Sequence, residues 1–221
     1  MRPLLIVDYV QHGKTRSGFK PGASVDLDGD GVIQTNEQEA YLCAIRSEKM
    51  VAIGKEMGAP LTVVRVGWND EIDPLNYDQG HAAINDYVAG WHSQNPGGLS
   101  CVVCEHNNAG GGSYGLVAFD HRSRLGRTAA AWVARSWEGH PFLAPRLSRA
   151  KVTTASPDGQ PYQRRLHYTL RGAYVGHARH CGITLEPGFM DTEEHADLWT
   201  DEGLEATARA TIAGLMAWAG S

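Results

Sequence analysis

The chain has 221 residues, 42% hydrophobic and 20% charged, which is enough apolar material for one core in an ordinary globular protein. Its net charge of −5 is spread without long blocks, which argues against the basic footprint of a nucleic-acid binder. No apolar run approaches the length needed to cross a bilayer, so neither nucleic acid nor membrane is expected as a partner.

In chain order, the first apolar run is Leu4-Leu5-Ile6-Val7, ending at Asp8. It is strand-length and lacks the longer apolar stretch and cleavage site of a secretory signal, so synthesis in the cytoplasm without a signal peptide is expected. A helix is predicted over 39–57, with apolar positions at Leu42, Ile45, Met50, Ile53 and Met57 and a stop at Gly58, Pro60 lying just beyond. Further strands are predicted at 61–66, 99–104, 115–119 and 182–186, and further helices at 77–92, 124–137, 166–176 and 195–218. Glycine, proline and serine mark loops at 13–24, 67–76, 93–98, 109–114 and 138–163, the last read as a solvated connector or a substrate-facing flap. With no internal repeat or linker, the alternation predicts a single α/β domain with a mostly parallel central sheet and helices on both faces. Nothing in it demands more than a monomer.

Cys43, Cys101, Cys104 and Cys181 are too few for a disulfide scaffold in a chain of this size. Cys101 and Cys104 have a C-x-x-C spacing, but they lie in a predicted strand, where side chains three apart point to opposite faces. They read as small buried residues rather than as a metal or redox pair.

Metal-competent side chains fall at the ends of the predicted strands. His12 lies just past the first strand, and Glu39 opens the first helix. His106 follows the 99–104 strand in Cys104-Glu105-His106-Asn107-Asn108-Ala109, and Glu186 ends the last strand in Leu185-Glu186-Pro187-Gly188-Phe189. The carboxyl ends of the strands in an open α/β sheet line one crevice where ligands bind, so these four are expected to converge. Two imidazoles and a carboxylate suit a catalytic zinc with one position left for water, whose pKa the metal lowers. A further carboxylate, Glu186 by position, would take that water's proton and pass it to a leaving amine. The plainer reading is that a histidine after a strand is more often a surface or hydrogen-bonded residue, and the chain has ten histidines.

The same residues, in the same order, resemble the zinc-dependent N-acetylmuramoyl-L-alanine amidases of bacterial autolysins and phage endolysins. The resemblance rests on Ile6-Val7-Asp8, His12-Gly13, Pro21-Gly22-Ala23, a helix opened by Glu39 and closed by Gly58-Ala59, His106-Asn107-Asn108-Ala109 and Glu186-Pro187-Gly188-Phe189. It spans nearly the whole chain and implies that His12, Glu39 and His106 ligate zinc and that Glu186 is the catalytic carboxylate. It further implies Asn108 and Arg171 as substrate-positioning residues, peptidoglycan as substrate and the bacterial cell wall as the place of action. A phage endolysin or another wall-lytic enzyme fits this. Departures from the pattern are Val10-Gln11 for the usual Pro-Gly turn, Cys104 for a serine, Glu105 for an apolar residue, and Met190-Asp191-Thr192 for the usual asparagine.

Between Ala23 and Glu39 lies a second motif, residues 26–37. Asp26, Asp28 and Asp30 take positions one, three and five of an EF-hand-like calcium loop. Gly31 takes six, Val32 seven (through its carbonyl), Ile33 eight and Glu37 twelve. The alternative is an acidic, glycine-rich surface turn. The motif assigns Glu37 to calcium, which with the family's spacing to Gly58 leaves Glu39 as the zinc ligand. The expected activity is zinc-dependent cleavage of the N-acetylmuramic acid–L-alanine amide, with calcium as a second ion. The alternatives are a zinc peptidase cutting within the stem peptide and a catalytically silent wall-binding module.

Overall fold

Branched and apolar segments account for the strands of the computed structural model, which describes residues 2–10, 13–15, 18–28, 30–66, 77–155 and 178–221. In chain order they are β1 (Leu4–Val10), a short antiparallel ribbon of β2 (Gly13–Thr15) and β3 (Gly18–Lys20), and β4 (Leu61–Val66). β5 (Leu99–Glu105), β6 (Gly115–Asp120), β7 (Ala150–Ala155) and β8 (His180–Glu186) follow. Six of them form one sheet in the order β4-β1-β5-β8-β6-β7. Every pairing is parallel except that of β6 with β8. β1, β5 and β8 are buried along their whole length, and parallel strands covered on both faces read as continuous apolar runs for that reason.

The helices are α1 (Glu39–Met57), α2 (Tyr77–Gln94), α3 (Arg124–Gly139) and α4 (Asp201–Gly220). One face of the sheet (Leu4, Ile6, Val103, Val117, Ile183, Leu185) builds the larger core with side chains of α1, α3 and α4. The other face (Leu5, Val7, Tyr9, Val102, Cys104) packs on Ile84 and Val88 of α2. The α/β expectation of a mostly parallel sheet with helices on both faces holds. Cys101 and Cys104 fall in the two different cores, and all four cysteines are free and buried. Burial pushes the thiols of Cys43, Cys101 and Cys104 up, which leaves them unreactive.

Three expectations are corrected. The stretch 138–163 is not simply a connector, because Ala150–Ala155 pairs with β6 as an edge strand. Its Val152-Thr153-Thr154 core carries the β-branched signal that the surrounding prolines obscured. The loop expected at 13–24 contains the β2–β3 ribbon. The helix expected over 195–218 is two elements, a 3-10 segment at Glu193–Trp199 and then α4, divided where the Thr200 hydroxyl accepts from the Gly203 amide at 3.2 Å. Gly58 ends α1 at positive φ, as expected. The 166–176 helix and the 67–76 loop lie outside the described residues.

α3 and α4 cross closely enough that a Cβ on Gly214 would lie 2.7 Å from the Val133 Cα and 2.8 Å from the Trp132 carbonyl oxygen. Alanine is about 1 kcal/mol better than glycine inside a helix, but overpacking against backbone costs about 1–3 kcal/mol. Gly214→Ala is therefore expected to lower the melting temperature by several degrees. A thermal unfolding scan showing a rise would mean that the helices can part at no cost.

Candidate active site

The carboxyl ends of β1, β5 and β8 meet at one edge of the sheet. Past β5 the chain stays beside β8: the His106 amide donates to the Leu185 carbonyl at 3.0 Å, Asn108 to Gly188 at 2.9 Å, and Met190 back to Asn108 at 2.8 Å. Since Glu105 is in register with Leu185, His106 comes alongside Glu186. Both Glu186 and Asn108 are buried. The loop past β8 is closed by His195, whose Nδ1 accepts from the Phe189 amide at 2.9 Å and whose ring stacks on Phe189. Burial holds the His195 imidazole below its usual pKa, so the neutral ring required for that acceptor role prevails.

Glu39, the first residue of α1, is brought to His106 by a backbone clamp. The Glu39 amide donates to Ala23, Ala40 to Pro21, and Val25 to Glu37, so segments 21–25 and 37–40 run side by side. Glu39 Oε2 accepts from the Ala23 amide and Oε1 from the Asn107 amide, each at 2.9 Å. His106 Nδ1 lies 3.3 Å from Glu39 Oε1. Gly22, at φ 77°, leaves the space this carboxylate occupies: a Cβ there would come within 2.3 Å of Glu39 Oε2.

The donor set and this spacing can be tested against zinc. Two ligands at about 2.0–2.1 Å on a tetrahedral ion are separated by about 3.3–3.4 Å. Glu39 Oε1 and His106 Nδ1 match one edge of that tetrahedron, so these two donors are compatible with the metal, and the same spacing also suits a hydrogen bond between them. Among the described residues, Glu186 does not join these two within a single ion's ligand sphere. His12 and Arg171 lie outside the described residues.

Behind the site is a buried cluster that the sequence did not announce. Arg46 of α1 has no solvent exposure, nor has Glu105, with which it forms an ion pair. Its remaining donors reach Asn107 Oδ1 at 2.8 Å, the His106 carbonyl at 3.0 Å and Cys43 Sγ at 3.6 Å. Burial works most strongly against the guanidinium charge, but Glu105 together with Cys43 and Asp8 outweighs it and the net shift is upward. Asp8 completes the cluster: burial, and then the Glu105 charge, hold its carboxyl well above the usual range. The available signal was Glu105 itself, a carboxylate in an apolar strand that demanded a buried cation.

In the 26–37 loop, the Asp26, Asp28 and Asp30 carboxylates bring oxygens within 4.8 Å of one another. Gly31 donates to Asp26 Oδ2 at 2.8 Å, folding the turn over the first aspartate. Glu37 is buried and accepts from the Leu27 and Gln34 amides, each at 2.6 Å, so its oxygens close the loop. Val32 and Ile33 are 61% and 44% exposed, whereas position eight of a full helix-loop-helix hand packs inward.

No family model matches the sequence, and neither does any curated protein. Solved structures do match over the whole chain. The N-acetylmuramoyl-L-alanine amidase of Clostridium difficile 630 is similar with a TM-score of 0.66 at 13% identity, covering 100% of this chain and 99% of that one. The N-acetylmuramyl-L-alanine amidase of Mycobacterium smegmatis gives 0.61 at 12%, covering 99% and 98%. The catalytic domain of an endolysin targeting Clostridium difficile gives 0.60 at 14%, covering 98% of each. At such identities what is shared is the fold.

Removing Arg46 alone strands the Glu105 carboxylate without a partner, which costs about 3–5 kcal/mol. Arg46→Met is therefore expected to be strongly destabilised in urea unfolding, and Arg46→Met with Glu105→Leu to recover most of the loss. A double variant no more stable than the single would show that the pair is not an autonomous unit.

Proposed function

We propose that the chain is a zinc-dependent N-acetylmuramoyl-L-alanine amidase that hydrolyses the amide between N-acetylmuramic acid and L-alanine in peptidoglycan. The observation that carries this reading is the 3.3 Å approach of Glu39 Oε1 to His106 Nδ1, with Glu186 beside His106 at the end of the next strand. The fold shared with solved amidases supports it.

His12, Glu39 and His106 would hold the ion. Zinc, when bound, lowers the pKa of a water and polarises the substrate carbonyl. Glu186 accepts a proton from the attacking water and delivers it to the departing alanine nitrogen, so water and amide become an acid and an amine. Buried in the sheet edge, its carboxylate stays close to the reacting atoms and out of bulk solvent. Asn108, whose Oδ1 accepts from the Ala109 amide at 2.9 Å, shapes the turn beside the site. Arg171 is a second positioning candidate. The setting that fits is a bacteriolytic enzyme acting on the cell wall, such as a phage endolysin, working as a monomer. Among the described residues no helix is long and apolar enough to cross a membrane.

Digestion of purified peptidoglycan with mass analysis of the products tests this. Free stem peptides beginning with L-alanine are expected, lost on chelation and restored by zinc. Shortened peptides would instead mean a zinc peptidase, and no release a silent wall-binding module. Glu186→Gln is expected to bind zinc with unchanged affinity while losing at least 100-fold in rate. Retention of most of the rate would remove Glu186 from the chemistry.

The 26–37 loop is read as a calcium site formed by Asp26, Asp28, Asp30, the Val32 carbonyl and Glu37. The clamp supports coupling to the zinc site, because the strand pair that closes the loop also positions the Glu39 amide and carboxylate. Adding calcium to metal-depleted, zinc-reloaded protein is expected to raise both melting temperature and rate. If neither moves, the loop and the site are independent.

A further inference from the structure

A groove lies beyond Glu186 on the side of β6 and β7. It measures about 710 Å³ and opens between the 108–111 turn, Tyr114, Phe189 and the first half of β7. Its position follows from the one reversed strand. Because β6 runs antiparallel to β8, the beginnings of β6 and β7 lie at the sheet edge where β5 and β8 end. Leu116 is in register with Glu186 on one side and with Lys151 on the other. Glu186, Leu116 and Lys151 therefore form one row across three neighbouring strands, with side chains on the same face. Two strand spacings separate the outer pair, about 10 Å.

Lys151 is held at this place. Its Nζ sits 3.3 Å from the centroid of the Tyr114 ring, and Tyr114 meets Phe189 edge-to-face at 4.9 Å. Phe189 in turn bridges Asn108 beside the site. Among the described residues, neither Lys151 nor Arg149, which also lines the groove, has a carboxylate partner. Asp191, past the 108–111 turn, is turned to the Gly110 and Gly111 amides, which hold its carboxyl below the usual range.

We propose that this groove is the stem-peptide subsite and that Lys151, seconded by Arg149, selects a free carboxylate on the second residue of the stem. The assignment rests on the amidase reading given above. With the scissile amide at Glu186, an extended chain advances about 3.3–3.6 Å per residue, which carries the second residue's carboxylate about 7 Å along the row. The remaining gap is about one charge-assisted hydrogen bond to Lys151. An exposed ion pair alone favours its ligand by a few-fold, and a bound peptide that covers the pair raises this to about tenfold.

The test compares two synthetic substrates, N-acetylmuramoyl-L-alanyl-γ-D-glutamyl-L-lysine and its D-isoglutaminyl counterpart, in which the γ-carboxyl is in peptide linkage so that the two differ only in the free α-carboxylate of the second residue. The wild-type protein is expected to favour the acid by about three- to tenfold in kcat/KM, mainly through KM, with the preference shrinking as salt rises. Lys151→Met is expected to erase the preference by weakening the acid alone, and Lys151→Arg to retain it. Equal use of both substrates by the wild type overturns the proposal, as does an equal loss on both in Lys151→Met, while the amidase reading stands. Cleavage of neither substrate, with no stem peptides released from peptidoglycan, overturns both.

Discussion

A guanidinium sealed from water is tolerable only if its charge is answered and its donors are occupied, and Arg46 meets both conditions. Its partners come from three consecutive positions, the Glu105 carboxylate at the end of β5, the His106 carbonyl and the Asn107 side chain, and from Cys43 one turn earlier on α1. Taking such an ion out of water costs several kcal/mol, and the network recovers that only in one geometry. The same geometry fixes α1 against the end of β5, and thereby sets Glu39 against His106. Burial and the neighbouring Glu105 charge hold the Asp8 carboxyl well above the usual range, which eases the placing of a second carboxyl beside Glu105. The metal-competent pair is thus positioned from behind, by groups that never touch a substrate.

Two further supports reach the site from the front. Segments 21–25 and 37–40 hold the helix start by backbone hydrogen bonds, and Gly22 gives the Glu39 carboxylate its room. On the other side, neutral His195 caps the Phe189 amide, while Asp191 gathers Gly110 and Gly111. The Asp191 contacts tie the segment leaving β8 to the one leaving β5, and the others brace a single connecting segment on itself. The crevice is shaped by these cross-ties rather than by the loops' own propensities.

The sequence was most legible where a single residue type had to serve a single physical end. The continuous apolar runs at Leu4–Val7 and 99–104 announced buried parallel strands, and Gly58 announced the end of α1. Glu39 and His106 were readable from strand-end and helix-start placement, and their 3.3 Å approach agrees with it. What escaped depended on pairs distant in sequence. Glu105 was visible as an oddity, but nothing local to it pointed to Arg46, fifty-nine residues away. β7 was hidden because an edge strand of mixed Lys, Val and Thr lacks the apolar run of a central strand. The break at Thr200 was missed because apolar spacing continues through it, whereas the capping hydroxyl that restarts the helix is a short-range signal. The reversal of β6 is a property of topology and left no mark on the local pattern.

That reversal also sets one contiguous part of the chain against the site. β6, α3 and β7 run from Gly115 to Asp120, Arg124 to Gly139 and Ala150 to Ala155, a single contiguous block forming one strand–helix–strand unit. The block contains none of His12, Glu39, His106 or Glu186, yet it supplies one wall of the groove beside them. Substitutions at the start of β6 and β7 would therefore reshape that wall through residues outside the segments that carry Glu39, His106 and Glu186, while the rest of the block stays fixed in the core by Trp137 and its bond to Thr211.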